Sequence, residues 1–262
     1  MDLGLKDRVV IVAASSQGIG RATAEAFAAE GCKLAICARG TQMVRALAAE
    51  IASRHRVPVH CEGLDVADAG AVRQFVAKVA ERFGSVDVCV TNAGGPPAKS
   101  FLATTREDWE SAVEMNLLSV VHFAREVIPH MQRKTWGRLI AITSLTVKQP
   151  VDQLVLSNAV RAGVVGLVKS LANEFGKDGI LVNNVAPGYT ATDRLKELAR
   201  AQAKAASVSE EEIFQQWAAD SPLHRIARPE EVADVIVWLA SERASFITGQ
   251  TILVDGGAYK GL

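Results

Sequence analysis

Short runs rich in Val and Ile alternate with longer segments of helical period along the whole chain, and this alternation leaves few ways to fold. The apolar runs fall at residues 8–14, 33–38, 57–61, 86–91, 138–143, 180–186 and 251–254. Between them, segments 20–30, 42–53, 69–83, 108–132, 157–175 and 230–240 carry apolar residues three and four apart. Strands so uniformly apolar are covered on both faces, and a helix between successive strands makes them parallel. The expected fold is α/β: a doubly wound, seven-stranded parallel sheet with helices on both faces. Connections in such a fold usually run about 2–6 residues, and residues 189–228 break that habit. The Ala-rich piece 197–206 and the Ser209-x-x-Glu212 capping box predict two helices there. They read as a lid insertion of the kind that closes over a ligand.

Charge and cysteine usage exclude several classes of function. Lys and Arg total 29, as do Asp and Glu, so no global field recruits nucleic acid or an anionic membrane. Cys32, Cys37, Cys61 and Cys89 show no CxxC spacing and read as reduced thiols rather than a disulfide framework or zinc site. His55, His60, His122, His130 and His224 lack metal-ligand spacing, so no metal is expected. The N-terminus has no long apolar segment of signal type and no apolar run of spanning length is apparent, so a cytoplasmic protein is expected. No repeat, low-complexity tract or linker interrupts residues 1–262, which are expected to form one domain.

The first apolar run leads through Ala13-Ala14-Ser15-Ser16-Gln17-Gly18-Ile19-Gly20 directly into a helix. Glycines at such a turn let backbone N–H groups approach a diphosphate at the helix N-terminus. A lone Gly-x-Gly is also an ordinary helix cap, but its place in the first βα turn points to a dinucleotide and a Rossmann-type sheet. The second strand ends Cys37-Ala38-Arg39-Gly40. No acid stands there to bind a ribose 2′-hydroxyl, and Arg39 offers a partner for a 2′-phosphate, which favours NADP(H) over NAD(H).

With these residues the chain resembles the short-chain dehydrogenase/reductase family over nearly its whole length. The family's Thr-Gly-x-x-x-Gly-x-Gly turn matches Ala13 to Gly20, with Ala13 and Ala14 in place of the Thr and first Gly. Asp65, followed by Val66, matches its adenine-contacting Asp. Asn92-Ala93-Gly94 matches a motif that passes beside the cofactor. Pro187-Gly188, with Thr190 and Thr192, resembles the segment that holds the nicotinamide carboxamide. The tail Ile247-Thr248-Gly249-Gln250 to Val254-Asp255-Gly256-Gly257 is similar to that of bacterial 3-oxoacyl-carrier-protein reductases. The resemblance implies cofactor contacts from Ala14, Ser15, Ser16, Gln17, Gly18, Ile19 and Gly20, from Arg39, Asp65, Val66, Asn92, Ala93 and Gly94, and from Arg161, Pro187, Gly188, Thr190 and Thr192.

The family's chemistry uses an Asn, a Ser, a Tyr and a Lys. Asn116 and Ser144 match the first two. The Tyr and Lys positions are occupied by Ser157 and Arg161, with the flanking Ala162-Gly163-Val164 keeping the helix in register. These four are the candidate catalytic residues. Positions 157 and 161 lie one turn apart on one helix face, but an aliphatic hydroxyl is a weaker and shorter acid than a phenol, and Arg cannot relay protons as Lys can. Tyr189, Lys148 and Asp152 are candidate replacement acids, and Tyr259 is the only other Tyr. The implied function is NADP(H)-dependent hydride transfer to or from a small carbonyl or alcohol substrate, with a non-standard proton-transfer site. The alternative is an NADP(H)-binding protein of low turnover, a sensor or an inactive partner subunit. The resemblance also implies a homotetramer or homodimer.

Overall fold

The computed structural model describes residues 2–262. Seven parallel strands form one sheet in the order β3-β2-β1-β4-β5-β6-β7. The strands are β1 (Val9–Val12), β2 (Lys33–Ala38), β3 (Val59–Gly63), β4 (Val88–Thr91), β5 (Gly137–Ile142), β6 (Ile180–Pro187) and β7 (Thr251–Val254). The chain steps outward from β1 to β3, then returns to the other side of β1 with β4. The strand order therefore reverses between β1 and β4, and the C-terminal ends of these two strands flank a natural crevice. The strands, the helices around them and this topology make the fold Rossmann-type α/β.

The central strands read as unbroken apolar runs because both faces are dry. Along β1, Val9 and Ile11 enter one hydrophobic core while Val10 and Val12 enter the other. The first core receives Phe75 and Val79 from α3 (Ala69–Phe83), Phe123, Val127 and Met131 from α5 (Ser119–Lys134), and Val164 and Val168 from α6 (Val155–Phe175). The second receives Phe27 from α1 (Gly18–Ala29), Leu47 and Ile51 from α2 (Thr41–His55), and Ile236 from α9 (Pro229–Ala240). Each fully buried side chain of this size contributes about 1.5–3 kcal/mol relative to exposure. The edge strand β3 is only half-buried and begins two residues later than the sequence pattern suggests.

The segment expected as one helix over 108–132 is three pieces. Helix α4 (Arg106–Val113) opens with a capping box of Thr105 and Asp108, and a π-helical turn over Glu114–Leu118 separates it from α5. The expectation that no stretch reaches spanning length needs correction. Residues Val155–Asp178 are long and apolar enough to cross a membrane by length and composition, with mean hydropathy 1.3. The stretch instead covers the sheet, because Val164, Val168 and Ala172 line up four apart and are buried in the first core.

Residues 189–228 contain α7 (Asp193–Ala206) and α8 (Glu210–Asp220). Ser209 and Glu212 form the reciprocal capping box read from the sequence, with Glu212 N–H donating to Ser209 Oγ at 3.2 Å and Ser209 N–H to Glu212 Oε2 at 2.8 Å. Helix α7 starts earlier than the Ala-rich piece suggests because Thr192 Oγ1 accepts from Leu195 N–H at 3.2 Å and caps it. The two helices carry their own small core of Leu195, Ala199, Ala203, Ile213 and Trp217, separate from the cores on the sheet.

Candidate active site

A cleft of about 420 Å³ opens over the C-terminal ends of the strands. Its floor is the turn from β1 into α1. Ala13 N–H is tied to Val90 O at 3.0 Å, and Ser15 N–H and Oγ both donate to Cys37 O, at 3.1 and 3.3 Å. These bonds pull the turn down onto β4 and β2. Ser15 is thereby fully buried beneath the turn and does not line the cleft. Gly20 is also out of reach: a Cβ there would run into Ala14 O, Ser15 Cα and Asn92 Nδ2. What faces the cleft is Ala14, Ser16, Gln17, Gly18 and Ile19. Gly18 takes φ +56°, and Ala14 takes φ +47°, a left-handed conformation that disfavours any side chain. Asn92 Nδ2 braces this residue by donating to Ala14 O at 3.3 Å.

The N-terminus of α1 has no side-chain cap, so its first N–H groups are left to whatever enters the cleft. Beyond it, Arg39 is exposed and makes no ion pair among the described residues, and Asp65 and Val66 border the same end. Among the described residues, Asp65 is the sole acidic one along the cleft wall. A turn that faces the cleft with Ala14 and Gly18 at positive φ, an open helix N-terminus and a free cation at one end fit a dinucleotide with an extra phosphate.

The other end is built by the ends of β4 and β5, the loop after β5 and helix α6. Ser144 Oγ accepts from Thr146 N–H at 3.2 Å, and Thr146 Oγ1 lies 3.1 Å from Ser157 Oγ, within hydrogen-bond distance. Ser157 and Arg161 are each 7% exposed and both border the cleft. Arg161 donates from Nη1 to Ile142 O at 3.2 Å and Thr143 O at 3.0 Å, and from Nη2 to Gly94 O at 3.4 Å. No carboxylate is among its partners. Burial, reinforced by the positive charge of Arg194, pushes its guanidinium down to about 10.

Asn116 sits in the π-helical turn and stands behind the cleft rather than on its wall. Its Nδ2 donates to Gly94 O at 2.7 Å, while its buried Oδ1 has no partner. The structure thus gathers Ser144, Ser157 and Arg161 at one place, with Asn116 one carbonyl away. Ala93, Gly94, Pro187, Gly188, Thr190 and Thr192 complete the rim between the two ends.

The candidate replacement acids are placed less favourably. Lys148 and Asp152 are exposed and lie off the cleft wall, as does Tyr259. Tyr189 does border the cleft, but its ring stacks on Trp217 with centroids 4.9 Å apart. Burial and then Asp220 push its phenol above the ordinary value. Two polar residues on the wall carry no sequence motif: Thr146, which joins Ser144 to Ser157, and Arg194 on α7, which donates to Pro96 O. All four cysteines are free thiols, and burial pushes Cys32 and Cys37 up to about 12. No group of three or more metal-binding side chains is found among the described residues.

Comparison with known proteins finds relatives over the whole length of the chain. A family model described as enoyl-(acyl carrier protein) reductase matches residues 13–259. The 3-oxoacyl-[acyl-carrier-protein] reductase FabG of Aquifex aeolicus is 33% identical over 259 residues, covering 99% of this chain and 100% of the relative. The crystal structure of L-sorbose reductase from Gluconobacter frateurii, complexed with NADPH and L-sorbose, superposes with a TM-score of 0.95 at 32% identity and full coverage of both chains. A variant of actinorhodin polyketide ketoreductase with NADPH gives 0.93 at 32% identity, covering 97% of this chain and 98% of that one. The turn, the strand order, the cleft and these matches together show that the chain belongs to the short-chain dehydrogenase/reductase family.

Proposed function

We propose that the protein is an NADP(H)-dependent oxidoreductase that interconverts a carbonyl and an alcohol, with a proton-transfer site built on Ser144, Thr146, Ser157 and Arg161. One observation carries this reading: a single cleft joins Arg39, which makes no ion pair among the described residues, at one end to that hydroxyl cluster at the other. The NADPH in the L-sorbose reductase and polyketide ketoreductase structures supports it.

In this reading Arg39 takes the 2′-phosphate, and Asp65 and Val66 border the adenine. Backbone N–H groups of the 14–19 turn hold the diphosphate, while Ser15 and Gly20 support that turn from below. Asn92, Ala93 and Gly94 run beside the dinucleotide, Arg161 takes ribose hydroxyls, and Pro187, Gly188, Thr190 and Thr192 hold the carboxamide. When bound, NADPH supplies the hydride for the substrate carbon. Ser144 already accepts from Thr146 N–H, so its own O–H is free to donate to a substrate oxygen. The Thr146–Ser157 bond uses one hydroxyl proton and leaves the other for relay. Even pushed down to about 10, Arg161 stays charged at neutral pH; it steadies negative charge and releases no proton.

A reading as a dinucleotide-binding protein of low turnover is favoured by one observation, the absence of a phenol from this hydroxyl cluster. We further propose that the chain works as a homodimer or homotetramer in the cytoplasm, a compartment its free thiols suit.

Fluorescence titration with the two reduced cofactors tests the assignment. NADPH is expected to bind at least about tenfold more tightly than NADH, through the charge-assisted contact to its phosphate. Arg39→Ala should erase that preference. Equal affinities in the wild type overturn the NADP(H) assignment.

A further inference from the structure

The charges on the cleft wall are Arg39, Asp65, Arg161 and Arg194; the dinucleotide reading uses Arg39 and Asp65 at one end and only part of Arg161's N–H groups, for ribose hydroxyls, at the other. The inner end therefore has two guanidinium groups and no acid. Buried charges are normally paired, and an unpaired one is costly. Arg161 is 7% exposed and rests only on three main-chain carbonyls, which carry partial charges. Arg194 adds a second cation by reaching from α7 to Pro96 O. Its one acidic neighbour, Glu197 at 3.5 Å, is 65% exposed and solvent-screened. The two cations feel each other, since Arg194 contributes to the lowering of Arg161. Around them the wall is apolar, with Met115, Val151, Leu154, Leu195 and Leu198.

We propose that this inner end is an anion site, and that the carbonyl compound handled here carries a carboxylate held by Arg161 and Arg194, with an apolar body against the leucines. The proposal rests on the oxidoreductase reading and names its substrate class. A carboxylate would supply the full negative charge that the carbonyls lack, and guanidinium groups hold it by charge-assisted, often bidentate, bonds. Because Arg194 belongs to α7, such an anion would also tie the helical insertion to the sheet.

Calorimetry on the full chain, with and without saturating NADP+, compares α-ketoisocaproate with its neutral methyl ester. The acid is expected to bind at least about tenfold more tightly than the ester. Arg194→Met should remove most of that difference and Arg194→Lys should keep part of it, with NADP+ affinity unchanged within about twofold in both. Equal binding of acid and ester, or no binding of the acid up to about 10 mM, overturns the proposal. So does a loss of NADP+ affinity in Arg194→Met with acid–ester discrimination intact, which would assign the cation to the cofactor's diphosphate. Failure of the oxidoreductase reading shows separately, as no heat with NADP+ alone or as no NADPH consumption with either compound. The acid–ester comparison on the cofactor-free protein still decides the anion site.

Discussion

A hydroxymethyl group at position 157 puts its oxygen where Thr146 can reach it, 3.1 Å away, but gives that oxygen no means of ionising near neutrality. The defect proposed here is thus one of acidity, since position, burial and the neighbouring Ser144 are all in place. Supplying both missing groups as Ser157→Tyr with Arg161→Lys should raise the turnover number on activated ketones. General acid–base help is typically about 10²–10⁴-fold, so partial recovery is measurable by NADPH consumption. Cofactor affinity should change little. Ser157→Tyr alone should recover less, because Arg161 is anchored on Ile142, Thr143 and Gly94 carbonyls and cannot swing toward a phenol. No gain from the double variant on any carbonyl favours the low-turnover reading. At this scale the sequence exposes only part of the site. Ser144, Ser157 and Arg161 are readable because they sit at fixed spacings on one strand end and one helix. Thr146 and Arg194 carry no such spacing, and their partners, Ser157 and Pro96, are distant in sequence or set by loop conformation.

Among the elements, the first βα turn carries the clearest local conflict. Ala14 holds φ +47°, where a Cβ costs about 1–2 kcal/mol, because Asn92 and the Ser15–Cys37 bonds fix the turn regardless of side chain. Ala14→Gly removes that strain, offset by the extra freedom glycine gives the unfolded chain, about 0.4–1 kcal/mol. Net stabilisation of about 1 kcal/mol is expected, a rise of about 2–4 °C in Tm by calorimetry. Glycine should also let a diphosphate approach more closely, so NADPH affinity should rise or hold. A fall in Tm would mean that the turn relaxes in solution to a conformation alanine tolerates. The strands and the outer helices are legible in the sequence because each repeats one period against one apolar layer. The break at Glu114–Leu118 is not, since a π-turn shifts hydrogen bonds by one residue without a side-chain signature, and it is the feature that brings Asn116 to Gly94. The start of α7 is hidden for a different reason: Thr192, which the family resemblance assigns to the cofactor, also serves as its cap.

For the whole molecule, the surface of α6 is hard to explain in a lone protomer. Its buried stripe faces the sheet, while Ala159, Ala162, Gly163 and Gly166 lie exposed along the other side. Glycine inside a helix costs about 1 kcal/mol relative to alanine, so a helix bearing two of them is weakened without visible return. At Gly166 the space is open: an added Cβ would meet nothing within 4 Å. A second copy of the same helix, related by a two-fold axis, would use that bareness for close backbone approach, as an isologous interface requires. Gly166→Glu separates the two accounts. Inside the protomer the substitution fits and improves helix propensity by roughly 0.5–1 kcal/mol. In an assembly it places like charges against each other across the axis. The wild type is therefore expected to sediment as a dimer or tetramer at micromolar concentration, and Gly166→Glu to shift toward smaller species while retaining its circular dichroism spectrum. A wild type that sediments as a monomer removes the assembly altogether. An unchanged oligomer in the variant moves the interface away from α6, toward the exposed Phe246 and the Trp238 of α9, the helix that packs on the sheet's opposite face.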